Sequence, residues 1–208
     1  MTDLPSPAPH GGPNVLLTTV LWQAANGVGL ERCQLRRIGG IANRAYRLSG
    51  AILDVHDGRP IRIRYRVDLD RGWRTTDVLV RASIQPGNDV EVALRRRGRW
   101  KRHDPATGAW GRVHELDGLT DIDLAFTPAT NALPIQRLEL PVGGSAVVTA
   151  AWLTFPDLLL EPIQQTYART ADRTYRYTSP GFHADLTVDE HGLPVDYPSL
   201  WRRIAQHP

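Results

Sequence analysis

The chain has 208 residues, of which 41% are hydrophobic and 23% charged, and its formal net charge is +3. This length suits one domain that buries roughly 70% of its unfolded surface, so the core needs no disulfide or metal to hold it. A charge of +3 is too small to indicate a nucleic-acid-binding protein.

The N-terminal region and the cysteine content limit the cellular setting. Residues 1–14 carry four prolines and two glycines and predict a flexible tail, followed by a single domain at 15–208. The lone cysteine, Cys33, excludes an intrachain disulfide and a cysteine metal site. The sequence shows neither the layout of a secretory leader nor a run of about 20 apolar residues. We therefore expect a cytoplasmic protein with no transmembrane segment.

Strand patterns dominate the chain from Val15 onward. In Ile61–Asp70, apolar residues alternate with arginine and aspartate, which is typical of a half-buried strand. The segments 77–84 and 90–94 alternate in the same way around Pro86-Gly87-Asn88 and predict a hairpin. Further candidate strands cover 15–23, 31–38, 45–55, 146–155, 163–169, 174–178 and 182–188.

Helix signals are few. A short helix is expected within Thr130–Leu140, after a Thr-Pro turn, and a helical turn is expected at Ser199–Gln206. About ten strands at hairpin spacing predict a mainly β protein with one large antiparallel sheet. Such a sheet must curl, which gives a spiral β-roll or an incompletely closed barrel with one or two short helices.

The sequence lacks the common catalytic motifs. It has no Gly-x-Ser-x-Gly elbow, no phosphate-binding loop and no His-Glu-x-x-His motif, and its seven histidines show no metal-ligand spacing. We therefore predict no catalytic residue, no metal site and no cofactor.

One carboxylate pair stands at the start of an unusual segment. Asp121 and Asp123 alternate with apolar residues, and the turn residues Thr127-Pro128 and Thr130-Asn131 follow. Acids at positions i and i+2 of a strand project from the same face. They could form a solvated surface, bind a polar ligand by hydrogen bonds, or hold a metal ion for group transfer.

The run Arg95–Arg102 is basic and contains one aromatic residue, Trp100. Such a run could grip phosphates, contact an anionic membrane surface, or form a solvated hairpin end. Asp68 and Asp70 interrupt the arginines that alternate along Ile61–Asp70, which weakens the nucleic-acid hypothesis.

Tryptophan and tyrosine occur at apolar-face positions of several predicted strands. Core packing explains each one singly, but together they would also line a cavity inside a wide curled sheet. The set is Trp22, Tyr65, Trp73, Trp110, Trp152, Tyr167, Tyr175, Tyr177 and Tyr197.

An ordered set of short motifs resembles the Putative glycolipid-binding family of bacterial proteins. The matching pieces are Tyr65-Arg-Val67, Asp70, Trp73, Asp121-Ile-Asp-Leu124, Thr127-Pro128, Thr130-Asn131, Leu133-Pro-Ile135, Arg137-Leu138, Pro156-Asp-Leu158, Gln165, Tyr167, Tyr175-Arg-Tyr177, Phe182, Val188-Asp189, Gly192 and Asp196-Tyr-Pro198. Family members commonly carry Arg-Arg where this chain has Gln136-Arg137. If that doublet holds an anionic head group, we expect this chain to bind it more weakly.

The resemblance implies a spiral β-roll similar to bacterial lipid carriers, and it implies no catalysis. It favours non-enzymatic binding of a lipid or glycolipid on the concave side, driven by apolar burial. The expected cavity-lining residues are Tyr65, Trp73, Trp152 and Tyr167. The expected head-group residues are Asp121, Asp123, Asn131 and Arg137. Trp73 could also stack on a sugar ring.

Two other functions stay open at the level of sequence. One is an enzyme that acts on a lipid-linked sugar through Asp121 and Asp123. The other is an anionic-surface or nucleic-acid module that uses Arg95–Arg102. We expect a lipid partner, no nucleic acid and at most a transient contact with a membrane surface. The sequence does not fix the oligomeric state.

Overall fold

In a computed structural model, which describes residues 14–39, 44–85 and 88–207, 15 strands form one sheet that is not closed. The predicted tail lies outside these residues except for Asn14, which is exposed. The chain is mainly β, as the alternating patterns predict. No helix in the described ranges is long and apolar enough to cross a membrane.

Most strands are joined by short connections. The strands are β1 Val15–Ala24, β2 Leu30–Arg37, β3 Tyr46–His56, β4 Arg59–Leu69, β5 Thr75–Gln85, β6 Asn88–Arg97, β7 Arg99–His103, β8 Trp110–Arg112, β9 Ile122–Leu124, β10 Ser145–Leu153, β11 Leu160–Ala171, β12 Thr174–Ser179, β13 Phe182–Val188, β14 Pro194–Tyr197 and β15 Trp201–His207. By contrast with the short connections, residues 125–144 join β9 to β10. Helix α1 covers Ala132–Leu138, and single 3₁₀ turns cover His114–Leu116 and Ala129–Asn131.

The strand patterns predicted most of these elements. In β4, Ile61, Ile63 and Tyr65 are buried while Arg62 and Arg64 are exposed. Strands β5 and β6 form the predicted hairpin, although its turn residues 86 and 87 lie outside the described chain. The helix expected within Thr130–Leu140 is α1.

Two expectations need correction. The segment predicted as a helical turn, Ser199–Gln206, forms most of β15 instead, because its backbone pairs with β1. The sheet is also not wholly antiparallel, since β9 runs parallel to β10. Parallel neighbours need a crossover connection, and the segment that contains α1 supplies it.

The strand order explains the curl. It runs β8-β7-β6-β5-β4-β3-β2-β1-β15-β14-β13-β12-β11-β10-β9, so β8 and β9 form opposite edges of the sheet. Yet residues 113–121 alone join them, and such a linker spans at most about 35 Å. The sheet must therefore bend until its edges approach. Two hydrogen bonds hold the end of this linker and β9 against β5, from Thr75 N to Thr120 O at 3.0 Å and from Ile122 N to Thr75 Oγ1 at 3.1 Å.

The concave side of this roll is filled by apolar side chains in the described chain. Trp22 and Trp100 are fully buried there, and each indole N–H donates to a backbone oxygen, Pro194 O at 2.7 Å and Leu119 O at 2.9 Å. Side chains from the β9–α1 segment, including Leu124 and Leu133, belong to the same core. A second cluster of tyrosines and aliphatic residues lies between α1 and strands β10–β14.

Candidate functional site

The segment Asp121–Leu138 folds into the concave side rather than standing free at a strand end. After β9, Thr127 Oγ1 accepts a hydrogen bond from Ala129 N at 3.1 Å, which starts the helical turns. Pro134 falls in the first turn of α1, where its missing N–H costs little. Glu139 adopts a left-handed conformation with φ 45° and ends the helix.

A polar cluster joins this segment to the opposite wall of the roll. The hydroxyls of Tyr65 and Thr127 both donate to Glu31 Oε1, at 2.5 and 2.7 Å. The Tyr65 ring reaches β2 by crossing β3 over Gly50, where a Cβ would lie 2.4 Å from Tyr65 Cε1. The absence of a side chain at Gly50 thus makes this contact sterically possible.

Glu31 is completely buried, and its second carboxyl oxygen, Oε2, has no hydrogen-bond partner. Burial raises the pKa of Glu31 to about 8, although the hydrogen bonds from Tyr65 and Thr127 oppose the rise. The carboxyl is therefore largely protonated at neutral pH. The strand alternation that buries Cys33 and Leu35 also points Glu31 inward, and this signal was present in the sequence.

The carboxylate of Asp121 is occupied by a side chain from α1. Arg137 donates to both of its oxygens, from Nε at 3.1 Å and from Nη2 at 2.5 Å. Asp121 is 1% exposed, so the pair is a bidentate and nearly desolvated ion pair. It ties the last turn of α1 to the start of β9.

Asp123, Asn131 and Tyr167 form a second set of internal contacts. Asp123 accepts from Thr130 Oγ1 at 3.0 Å and from Gln165 Nε2 at 2.6 Å. Burial raises the pKa of Asp123, and these two bonds oppose the rise. Tyr167 donates to Asn131 Oδ1 at 2.9 Å. Each polar group predicted to hold a ligand thus has a protein partner in this structure.

The two predicted tryptophans differ in setting. Trp73 lies in the β4–β5 turn with φ 61° and stacks on Tyr46, with 4.5 Å between the ring centroids. Trp152 is half-buried on β10, opposite Asp123. The structure therefore brings Asp121, Asp123, Asn131, Arg137 and Tyr167 together around α1, whereas Trp73 belongs to a separate aromatic stack. That any of these residues contacts a ligand stays a prediction.

An open recess lies on the outer side of α1. This α1 cleft has a volume of about 300 Å³. Its walls come from α1, the β11–β12 turn and the end of β13. They comprise Ile135, Gln136, Glu139, Arg169, Asp172, Arg173, Tyr175, Val188, Asp189 and Glu190.

Tight packing positions α1 beside the cleft. Gly192, at φ +75°, lies so close that a Cβ there would be 3.1 Å from Ile135 Cγ2 and 3.3 Å from Ala132 Cα. Gln136 Nε2 donates to Glu190 O at 3.1 Å. Since neighbouring helix residues diverge by about 100°, Gln136 faces the cleft whereas Arg137 turns inward to Asp121.

The cleft carries both signs of charge. Arg169 donates to Leu140 O at 2.8 Å and lies over the Tyr175 ring, 5.8 Å from its centroid. Arg173 approaches Glu190 at 3.6 Å, and a backbone hydrogen bond lowers the pKa of Glu190. Outside the cleft, Arg203 pairs with Asp189 at 2.9 Å. Four acids line the cleft, namely Glu139, Asp172, Asp189 and Glu190. Arg169, Arg173 and the neighbouring Arg203 supply three positive charges, so the net charge is −1.

No sequence pattern predicted the α1 cleft, although five of its lining residues belong to the short motifs described above, namely Ile135, Gln136, Tyr175, Val188 and Asp189. The remaining lining comes from turns far apart in sequence, whose approach no local pattern reveals. Within the described ranges, the His, Cys, Asp and Glu side chains form no group of three that could hold a metal ion.

The basic run Arg95–Arg102 forms the β6–β7 hairpin. Its aromatic residue, Trp100, is fully buried and cannot stack on a base. Arg96 Nε donates to Thr75 O at 2.6 Å, and Arg95 lies over the Trp110 ring at 4.2 Å. The run is thus partly committed to internal contacts.

Comparisons with known proteins agree with the fold. A crystal structure of a DUF1089 family protein from Pseudomonas aeruginosa superimposes with a TM-score of 0.70 at 28% sequence identity, covering 84% of this chain and 92% of that one. No curated protein matches the sequence significantly. The model of the family described as Putative glycolipid-binding matches residues 19–203. That match spans most of the chain, and the protein therefore belongs to this family.

Proposed function

We propose that the protein binds a glycolipid without transforming it and recognises the uncharged sugar head group in the α1 cleft. The observation that carries this proposal is the composition of the cleft, where carboxylates, guanidinium groups and an amide surround Ile135, Val188 and Tyr175. Sugars offer hydroxyls that donate and accept hydrogen bonds next to apolar C–H faces, so they suit such mixed walls.

The charge of the cleft favours a neutral head group over an anionic one. Four acids line it, and Gln136 contributes an uncharged amide rather than a cation. A phosphate or sulfate would meet carboxylates without enough compensating cations. Sugar hydroxyls instead donate to carboxylates and accept from arginine, and hydrogen bonds to charged groups are the stronger kind.

The acyl chains belong outside the cleft in this proposal. The walls that the sequence predicted for an acyl cavity, including Tyr65 and Tyr167, are buried with their hydroxyls bonded. Leu124, Phe126 and Leu133 fill the same side of the roll. An acyl chain could enter the concave side of the roll after displacement of the β9–α1 segment. The α1 cleft needs no such rearrangement to admit a sugar.

The test compares a short-chain monoglycosyl diacylglycerol with the same diacylglycerol lacking its sugar, by isothermal titration calorimetry. We expect measurable binding of the glycosylated lipid alone. The double variant Glu139→Gln/Asp172→Asn should lose at least about tenfold in affinity, since each change removes a charged acceptor. Both residues are exposed, so folding should be unaffected.

The matched control is Glu115→Gln/Asp57→Asn, which changes two exposed acids outside the cleft and should bind as the unchanged protein does. Equal affinity for the two lipids would contradict the proposal. So would unchanged binding by the cleft variant. The enzymatic reading through Asp121 and Asp123 has no observation in its favour, because each carboxylate is held by its own protein partners.

A further inference from the structure

Four large apolar side chains are exposed together on the outer face of the sheet. Leu30 and Leu53 are 40% and 62% exposed and lie directly opposite each other on β2 and β3. Val55, 44% exposed, follows on the same face of β3, and Val28, 57% exposed, lies two residues before Leu30 in the β1–β2 turn. We call these four residues the Leu53 patch.

Arginines without ion-pair partners flank the patch. Arg62 lies directly opposite Leu53 on the neighbouring strand, and the next row holds Arg32 and Arg64 on either side of Ala51. All three arginines are exposed, and they make no ion pair or side-chain hydrogen bond with the described residues. They form a cationic border along one side of the patch.

Two other arginines on this face are paired with acids. Arg47 donates to both oxygens of buried Asp68, at 2.6 and 3.1 Å. Arg81 pairs with Glu91 at 2.7 Å, although it lies directly opposite Arg64. Arg47 and Arg81 are thus neutralised by acids on this face, whereas the three arginines beside the exposed leucines and valines are free of such partners within the described chain.

We propose that the Leu53 patch and its arginine border dock on the surface of an anionic lipid bilayer. Exposed aliphatic side chains gain free energy by entering the headgroup region, and guanidinium groups bind lipid phosphates there. Nucleic acid would use the arginines but leave the patch in water, and the patch has no aromatic ring for base stacking. This surface is separate from the α1 cleft and goes beyond the proposed function.

The test measures cosedimentation of the full chain with phosphatidylcholine vesicles, with and without phosphatidylglycerol. We expect binding that requires phosphatidylglycerol and weakens as salt is added. Each arginine near an anionic surface raises the binding affinity about fivefold. The variant Arg32→Gln/Arg62→Gln/Arg64→Gln should therefore bind roughly 100-fold more weakly. Leu53→Ser/Val55→Ser should also bind more weakly and keep the salt dependence.

Two controls share the chemistry but not the position. Val147→Ser removes an equally exposed side chain on β10, and Arg176→Gln removes a guanidinium that pairs with Asp185 on β12–β13. Both should bind vesicles normally, as should Glu139→Gln/Asp172→Asn in the cleft. Unchanged vesicle binding by the triple arginine variant would overturn the proposal, as would tighter binding to a single-stranded RNA oligonucleotide than to vesicles.

Discussion

Glu31 shows how strongly one buried residue can depart from its behaviour in water. Its neighbours are two hydroxyls and apolar walls, and within the described chain no cation pairs with it. Its pKa of about 8 therefore reflects burial that two hydrogen bonds only partly offset. The carboxyl links three segments, β2, β4 and the turn after β9, in its protonated form.

This residue predicts a dependence of stability on pH. Below about pH 4.5 Glu31 is protonated in both folded and unfolded chains. Between about 4.5 and 8 the unfolded chain loses the proton and the folded chain keeps it, so stability falls as the pH rises. The slope is on the order of 1.4 kcal/mol per pH unit, and the loss is complete near pH 8.

Denaturant unfolding at several pH values between 5 and 8 checks this expectation. Glu31→Gln keeps an acceptor for Tyr65 and Thr127 and cannot ionise, so it should gain stability relative to the unchanged protein as the pH rises. Parallel stability profiles for the two proteins would show that Glu31 ionises normally in the fold.

At the scale of elements, α1 is held by one ion pair more than by its own propensity. Seven residues are too few for a stable isolated helix, and Pro134 adds nothing to the hydrogen-bond ladder. Its buried apolar residues and the bond from Arg137 to Asp121 fix it on the sheet. The helix also supplies the wall of the α1 cleft, so this ion pair positions the proposed binding site.

Removing one partner of this pair should cost more than removing both. Arg137→Ala leaves the Asp121 charge buried and alone, and we expect a loss of roughly 3–5 kcal/mol in the free energy of unfolding. Asp121→Leu/Arg137→Met should lose less, because no charge stays buried. As a control, Arg176→Ala breaks the exposed pair with Asp185 and should cost less than about 1 kcal/mol. Equal losses for Arg137→Ala and Arg176→Ala would contradict the assignment.

Local sequence patterns predicted the secondary-structure elements better than they predicted which side chains contact one another. The alternation in β4 predicted a strand, and the Thr-Pro turn predicted the start of α1. Both could be predicted because backbone preference and side-chain burial act over a few residues. Asp121 and Asp123 were expected to share one ligand on a common face. Their actual partners, Arg137 and Thr130, come from the helix and the 3₁₀ turn that fold back after β9, and that return depends on packing against distant strands. In β15, the spacing of Trp201 and Ile204 suits a helix, but pairing with β1 decides the conformation.

At the scale of the molecule, the sequence predicts a large curled β-sheet but not the order of its strands. Strand count and hairpin spacing favour a curled sheet, since more than about ten strands rarely stay flat. Nothing local indicates that β1 pairs with β15, or that three-residue strands form both edges. Short edges suit an open roll, because they offer few free backbone groups to other chains.

A continuous sheet with shared core residues should unfold as one unit. We expect the far-ultraviolet and near-ultraviolet circular dichroism signals to change at the same denaturant concentration, with one transition. The predicted single domain at 15–208 requires this coincidence. Two separate transitions would instead divide the sheet into independent parts, with the β1–β15 pairing as the natural boundary.

That pairing has a consequence for synthesis. The centre of the sheet forms when β15 meets β1, across 188 residues at the hydrogen bond between Thr18 and Gln206. While the ribosome is still making the chain, β1 and β14 each border an unfilled gap, and both offer backbone groups to any neighbouring polypeptide. The most protected strands of the finished molecule are therefore the most vulnerable ones in the nascent chain.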